Sequence, residues 1–172
     1  MEFQEACARL ASELVPNGVL SNWETLRGGV SAHVVLLRIG PADGSGKWQR
    51  DLVLRMPGEA AFKEQGADCA RREFDLLRVL HTAGLPVPQP LLFTADAFER
   101  PSYVMEHVDG STALSTGEIE GAMDQMAAFL ARLHTLEPRQ LDGIDLPQLE
   151  DPAEGALGYL ADDAIGRRAR VV

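Results

Sequence analysis

Arg55 and Glu73 are the residues of this sequence whose types and spacing best indicate chemistry. Arg55 lies in an alternating apolar segment, residues 51–56, which predicts a β-strand with successive side chains on opposite faces. Glu73 interrupts the apolar stripe of a helix predicted over residues 65–82. A carboxylate there is costly unless a cation meets it, and a strand cation paired with a helix carboxylate can position nucleotide phosphates. The alternative is that Glu73 flanks the stripe and pairs with Arg72 or with solvent.

The segments around this pair predict a small antiparallel sheet. Glycine-rich turns separate the first three strands, so these strands form a meander. The helix that carries Glu73 follows the third strand, and a proline-rich connection over residues 84–90 leads to two more strands. The five strands are predicted over residues 23–27, 33–39, 48–56, 91–95 and 102–108. The fold class is therefore α+β, a five-stranded antiparallel sheet with one inserted helix.

Amphipathic helices are predicted before and after this sheet. Apolar residues at helical spacing predict an N-terminal helix over residues 2–15, which ends at a Pro-Asn-Gly segment. Ser115 and Glu118 form a capping-box signature, so another helix is predicted over residues 116–136. Its apolar stripe consists of Ile119, Met123, Met126, Leu130 and Leu133. Residues 155–164 are a further candidate for a short helix.

The composition argues against several classes of function. The net charge of −10 and the pI near 4.8 disfavour nucleic-acid binding, which requires a cationic surface, and are compatible with a cationic small substrate. No apolar run approaches the roughly 20 residues that span a bilayer, so no membrane partner is expected. The N-terminus lacks the features of a signal peptide, and Cys7 and Cys69 match neither a disulfide framework nor a metal pattern. Together these features predict a cytoplasmic protein.

Gly28, Gly29 and Ser31 lie in the turn between the first two predicted strands. Such a segment can bring backbone N–H groups and a hydroxyl close to phosphates. A glycine pair is also typical of a hairpin turn without a function, and the motif by itself does not separate the two interpretations.

Six segments together resemble the aminoglycoside phosphotransferase family, the small-molecule branch of the protein-kinase-like fold. They are LRGGVS (26–31), LVLRMP (52–57), REFDLL (72–77), GLPVP (84–88), SYVMEHVDG (102–110) and AAFLARLH (127–134). Their order and spacing carry the resemblance, which covers about residues 20–136. It implies a kinase-like N-terminal nucleotide-binding lobe over residues 1–108 and the beginning of a helical C-terminal lobe over residues 109–172.

The resemblance implies roles for several residues on the phosphate side of an ATP site. Arg55 matches the strand cation that reaches the ATP phosphates, and Glu73 matches its helix partner. Gly28, Gly29 and Ser31 match the loop that covers the phosphates.

On the adenine side the resemblance implies a pocket and a hinge. Val53, on the same strand face as Arg55, matches the small apolar residue that lines the adenine pocket. Met105 begins the segment that matches the hinge between the two lobes. Backbone groups of Glu106 and Val108 in that hinge would form hydrogen bonds with the adenine edge.

Two features depart from the family pattern. Arg55 stands where many kinases have Lys, a change that is not neutral but is treated as a subfamily feature because some family members resemble this sequence in having Arg. The family also needs an HxDxxxxN catalytic loop and a later metal-binding Asp. Only His107-Val108-Asp109 gives HxD, at the hinge, and Leu114 stands where the Asn is required. No catalytic or metal-binding residue is therefore assigned.

The resemblance implies an ATP-dependent phosphotransferase that transfers the γ-phosphate to a hydroxyl of a small molecule. The chain is expected to be a truncated form that is inactive alone and binds Mg²⁺ only with the missing C-terminal lobe. The apolar stripe of helix 116–136 is then expected to be exposed and to promote self-association. The alternatives are a non-catalytic nucleotide-binding or protein-interaction module, and an α+β domain in which the Arg55–Glu73 pair is only structural.

Overall fold

Five alternating apolar segments form an antiparallel sheet in the computed structural model, which describes residues 2–26, 31–59, 66, 68–110, 116–144 and 146. The strands are β1 (Gly18–Leu26), β2 (Ala32–Pro41), β3 (Arg50–Pro57), β4 (Pro90–Thr94) and β5 (Ser102–Glu106). Their order in the sheet is β1-β2-β3-β5-β4, and every pairing is antiparallel. The predicted α+β class and the initial meander are confirmed.

The α-helices of the described residues lie before, within and after the sheet. They are α1 (Phe3–Leu14), α2 (Cys69–Thr82) and α3 (Ile119–Leu133), with short 3-10 helices at Thr116–Glu118 and Pro138–Leu141. In this part of the chain no helix has both the length and the apolar character needed to cross a bilayer. The cytoplasmic location stays a prediction.

The outer face of the sheet packs against α1 and forms the apolar core. The strand register makes Val35, Leu54 and Val104 cross-strand neighbours on this face. The buried core residues are Cys7, Leu10, Ala11, Val15, Val35, Leu37, Ile39, Leu52, Leu54 and Val104. Full burial of one large aliphatic side chain stabilises a fold by about 1.5–3 kcal/mol, so this layer supplies much of the stability of the sheet.

The inner face of the sheet carries both polar and apolar side chains. Arg55 on β3 lies between Val34 on β2 and Tyr103 on β5. Helix α2 packs on the β4–β5 end of this face, where the Phe74 ring lies 6.0 Å from the rings of Phe93 and Tyr103. Because α1 and α2 cover opposite faces, the sheet has a structural side and a side that presents charged groups.

A Schellman motif ends α2 and fixes where the chain turns back to the sheet. The Leu85 N–H donates to the Leu80 carbonyl at 3.0 Å, and the Gly84 N–H donates to the His81 carbonyl at 2.9 Å. Gly84 has φ +75, the left-handed conformation that glycine adopts without steric cost. The guanidinium of Arg132 on α3 donates to the Gly84 carbonyl, so α3 is attached to this same turn.

Two predicted element starts are wrong. Helix α2 begins at Cys69, later than predicted, because Gly66 has φ +76 and Asp68 still lies in a turn. Strand β1 begins earlier than predicted, at Gly18, because it pairs with β2 as far as Pro41. Local periodicity near the ends of elements does not report such long-range pairing.

The elements that follow the sheet also differ from the prediction. Strand β5 ends at Glu106, before the predicted end, and α3 begins after Glu118 instead of before it. Glu118 occupies the N-cap position of α3 without a side-chain capping hydrogen bond there, and the predicted capping box depends on its partner Ser115. Ser115 and the candidate helix 155–164 lie outside the described residues.

The predicted apolar exposure of α3 is present. The exposed fractions are 44% for Ile119, 64% for Met123, 63% for Met126 and 43% for Leu130. No residue of α3 is buried, in contrast to α1 and α2. The connection of α3 to the remainder of the described structure includes the Arg132 hydrogen bond described above.

The buried thiol of Cys7 is expected to make this fold less stable at alkaline pH. Its side chain is fully buried, and burial raises the pKa of the thiol from 9.0 to about 11. The folded state holds this proton more tightly than the unfolded state does. The stabilising contribution of the protonated thiol is therefore complete below about pH 9 and is lost as the pH rises through 11. We expect wild type to lose about 2 kcal/mol more unfolding free energy than Cys7→Ala between pH 8 and pH 11 in urea titrations. Equal losses in the two proteins would contradict the prediction.

Candidate functional site

Arg55 and Glu73 form a bidentate ion pair on the inner face. Arg55 Nε donates to Glu73 Oε2 and Arg55 Nη2 donates to Glu73 Oε1, both at 2.8 Å. The predicted pairing is therefore present, and the alternative that Glu73 faces only Arg72 or solvent is wrong. The contacts use the Nε–Nη2 edge of the guanidinium, so Nη1 takes no part in the pair.

Local periodicity explains why the two side chains meet. On β3, Arg55 follows Val53 by two positions and so faces the same side of the sheet. On α2, Glu73 lies one turn after the buried Cys69, on the face that packs against the sheet. A strand side chain and a helix side chain thus approach each other from packed elements, which limits the ways in which the pair can rearrange.

Tyr103 is a member of this cluster that the sequence interpretation missed. Its hydroxyl donates to Glu73 Oε2 at 3.2 Å, the oxygen that also accepts from Arg55 Nε. The side chain is 2% exposed. The available signal was the alternation of β5, which places Tyr103 and Met105 on one face, but only the pairing of β5 with β3 sets Tyr103 opposite Arg55.

The ionisation states of the cluster follow from these contacts. The hydrogen bonds that Arg55 donates to Glu73 raise the pKa of Arg55, so the guanidinium stays charged. Burial, followed by the Glu73 charge, raises the pKa of Tyr103, so its hydroxyl stays protonated and remains a donor.

Apolar side chains adjoin the ion pair on the same face. Val53 on β3 lies between Leu36 on β2 and Met105 on β5. Val53 is 5% exposed and Met105 is half-buried. Along β3 this apolar row is two residues, or about 7 Å, from Arg55. The inner face therefore places a largely buried apolar row beside the Arg55 cation.

The segment after β5 was predicted to be a hinge that meets the adenine edge. The Glu106 N–H donates to the Gln89 carbonyl at 2.9 Å, so an adenine contact at Glu106 would have to use its carbonyl. Val108 is exposed, and His107 Nδ1 lies 3.4 Å from Asp109 Oδ1. The HxD sequence thus lies in the segment directly after the sheet, as predicted.

The loop predicted to cover phosphates is described only in part. Gly28 and Gly29 lie outside the described residues. Ser31 is exposed, and its carbonyl accepts a hydrogen bond from the Gly58 N–H at 2.8 Å. A Cβ at Gly58 would lie 2.9 Å from that carbonyl oxygen. Only glycine therefore allows the backbone just after β3 to come this close to the backbone just before β2.

Other candidate sites do not coincide with the ion pair. A cleft of about 560 Å³ opens between α1 and the β4–β5 turn, lined by residues that include Phe3, His33, Met56 and Phe98. His33 and Met56 are cross-strand neighbours on the outer face, opposite to Arg55. Among the described residues, no group of three or more His, Cys, Asp or Glu side chains is arranged to hold a metal ion. This part of the chain therefore does not fit a Mg²⁺ site, and no metal-dependent step is derived for it.

Comparisons with known protein sequences bear on this site. The model described as the phosphotransferase enzyme family matches residues 22–170, which is most of the chain. Acyl-CoA dehydrogenase family member 11 of Mus musculus is 35% identical over 106 residues, which cover 55% of this chain and 13% of that protein.

Solved structures similar to this chain share its fold at 18% sequence identity. A GDP complex of an aminoglycoside 2'-phosphotransferase-IIIa variant has a TM-score of 0.62, with 96% of this chain and 53% of that chain covered. A complex of APH(2")-IIIa with GDP and kanamycin has a TM-score of 0.60, with 93% and 52% covered. A protein described as an aminoglycoside phosphotransferase from Ralstonia eutropha has a TM-score of 0.59, with 91% and 45% covered. The fold is that of the aminoglycoside phosphotransferases, and the chain spans about half the length of these structures.

Removal of the Glu73 carboxylate tests the strength of the ion pair. Glu73→Ala leaves the partly buried Arg55 without its bidentate partner, so we expect the free energy of unfolding to fall by about 1–2 kcal/mol. Urea denaturation monitored by circular dichroism measures this loss. Glu24→Ala is the matched control, because Glu24 pairs with Arg38 at a more exposed position and should cost less than about 0.5 kcal/mol. Equal losses would show that the burial of the Arg55–Glu73 pair adds nothing.

Proposed function

The chain belongs to the phosphotransferase enzyme family, and from this premise we propose that its sheet and α2 form the nucleotide-binding part of an ATP-dependent small-molecule phosphotransferase. The observation that carries the proposal is the bidentate Arg55–Glu73 pair beside the apolar row of Val53 and Met105. In the proposed complete enzyme the γ-phosphate passes to a hydroxyl of a small molecule. The nucleotide ligands and the kanamycin named for the solved relatives support this class of reaction.

The proposed binding mode assigns one task to each part of the inner face. The adenine ring lies on Val53 and Met105, and the carbonyl of Glu106 and the backbone of Val108 meet its polar edge. The phosphates meet the Nη1 side of Arg55, while Glu73 holds the Nε–Nη2 side. Gly28, Gly29 and Ser31 are proposed, from the family resemblance, to supply backbone and hydroxyl donors to the phosphates.

Arginine suits this arrangement better than lysine does. A guanidinium has a planar fork of five N–H donors, so it can hold a carboxylate with one edge and a phosphate with the other. A lysine ammonium is a point charge that divides three donors between both partners. The departure from the usual kinase lysine is therefore compatible with phosphate binding at Arg55.

Bound ATP supplies the phosphoryl group, and the chain's own residues bind and orient it. Arg55 places positive charge beside the phosphates, and Glu73 keeps that charge in position. The residues that would activate the acceptor hydroxyl and hold Mg²⁺ are not assigned in this sequence. We therefore propose that the chain alone binds nucleotide without transferring phosphate.

The alternative proposal is a non-catalytic nucleotide-binding or protein-interaction module. Its basis in the sequence is that residues 1–172 contain no HxDxxxxN sequence. One experiment distinguishes the two proposals. Phosphate transfer to a small-molecule hydroxyl by any longer form of this protein would contradict the alternative.

Nucleotide binding by the full 172-residue chain tests the proposed site. We expect ATP to bind more tightly than adenosine, and Arg55→Ala to weaken ATP binding by about 10- to 100-fold, the range for a lost charged hydrogen bond. Adenosine binding should change little, because it has no phosphate to meet Arg55. Isothermal titration calorimetry measures both ligands.

Arg78→Ala is the control for this measurement, since it removes an exposed arginine of α2 whose partner is Asp75. It should leave the preference for ATP unchanged. If wild type bound adenosine and ATP equally, or if Arg55→Ala weakened both ligands equally, the proposed phosphate contact would be wrong.

Self-association through α3 is proposed from the exposed stripe of Ile119, Met123, Met126 and Leu130, with a second copy of the chain as the partner. Met126→Asp should shift the protein toward the monomer in concentration-dependent size-exclusion chromatography with light scattering. Ala127→Asp adds the same charge to an exposed neighbouring position and should not. A wild-type protein that is monomeric at every concentration would contradict the proposal.

A further inference from the structure

Tyr103 makes a third hydrogen bond to the Glu73 carboxylate. Within the described residues, Oε1 accepts from Arg55 Nη2, whereas Oε2 accepts from both Arg55 Nε and the Tyr103 hydroxyl. The carboxylate of an α2 residue is therefore held by donors from β3 and from β5. These strands are neighbours in the sheet, and Tyr103 and Arg55 are cross-strand partners.

The Tyr103 hydroxyl is better fixed than the two charged side chains. Tyr103 is 2% exposed, whereas the Glu73 side chain is 39% exposed and the Arg55 side chain is 23% exposed. The Tyr103 ring packs edge-on against Phe74, with ring centroids 6.0 Å apart. A buried ring with two side-chain torsions gives a donor of nearly constant position, while Glu and Arg side chains rotate about more bonds.

A third donor changes what the ion pair can do. Two contacts between Arg55 and Glu73 fix the side chains relative to each other, but they allow both to move together across the inner face. A hydrogen bond from the sheet at Oε2 fixes the carboxylate itself, and with it the direction of the guanidinium. Preorganisation of this kind reduces the cost of ordering the cation when an anionic ligand binds.

We propose that Tyr103 is a positioning residue that acts through Glu73 to hold Arg55 in the orientation that receives the nucleotide phosphates. This role rests on the proposed function, because it assigns a supporting residue to the same site. Tyr103 has no direct contact with the phosphates in this proposal. It also joins the cation to β5, the strand that contains Met105 and ends at Glu106, so the two ends of the proposed nucleotide site share one structural element.

Tyr103→Phe tests the proposal, because it removes the hydroxyl and retains the ring that packs against Phe74. Calorimetry on the full chain should give about a 5- to 10-fold weaker ATP affinity, and an unchanged adenosine affinity. A purely structural role would weaken both ligands in parallel. Unchanged ATP binding, or parallel weakening, would overturn the proposal.

A double-mutant comparison tests whether Tyr103 acts through Glu73. If it does, Tyr103→Phe should reduce ATP affinity less than 2-fold in the Glu73→Ala background, since the carboxylate that it positions is gone. Full additivity of the two substitutions would overturn the proposed path. Phe93→Leu is the packing control, because Phe93 contacts Phe74 in the same apolar layer but makes no hydrogen bond to Glu73. It should leave the preference for ATP over adenosine unchanged.

A measurement without nucleotide separates this proposal from the proposed function. The ¹⁵N–¹H signal of Arg55 Nε, identified by its loss in Arg55→Lys, should exchange slowly with solvent in wild type and faster in Tyr103→Phe. Unchanged exchange would overturn the positioning role even if ATP binds at this site. Faster exchange in a protein that shows no preference for ATP would support the control of Arg55 by Tyr103 and contradict the proposed phosphate site.

Discussion

The ion pair between Arg55 and Glu73 constrains how α2 lies on the sheet. Each charge has been taken partly out of water, and each would be left unpaired if the helix shifted along or away from β3. Apolar packing by Phe74 tolerates small displacements, but a bidentate contact with two 2.8 Å hydrogen bonds does not. The pair therefore converts an approximate helix–sheet contact into a defined one. The end of α2 is defined separately, by the Schellman motif at Gly84.

The two faces of the sheet carry different kinds of side chain. The outer face is apolar, packs against α1 and contains side chains such as Leu37 and Leu54 that solvent does not reach. The inner face carries Arg55 and Tyr103, whose polar groups would weaken a core if they were not paired. Because the outer layer supplies stability, the inner face can hold a charged cluster that is suited to an anionic ligand. This division also explains why the α1-side cleft and the ion pair are on opposite sides.

The family membership and the local geometry account for different parts of the proposed reaction. The inner face of the described sheet has a cation, its carboxylate partner and an apolar row about 7 Å away along β3, and the proposed nucleotide site rests on these groups. The described residues lack a metal-binding cluster, and the chain spans about half the length of the solved structures that it resembles. The proposed nucleotide site and the proposed acceptor chemistry therefore rest on different observations. The apolar stripe of α3 is exposed because its side chains have few neighbours in the described part of the chain.

The amino-acid sequence by itself determined which side chains share a face. Alternation along β3 places Val53 with Arg55, and helical spacing places Glu73 in a stripe with Cys69, because these periodicities depend only on neighbouring residues. The pairing of β5 between β3 and β4 came only from the tertiary structure, and with it the contact of Tyr103 with Glu73 and of Glu106 with Gln89. The early start of β1 was decided in the same way, by its pairing with β2. Strand pairing and helix docking depend on residues far apart in the chain, so local sequence patterns do not specify them.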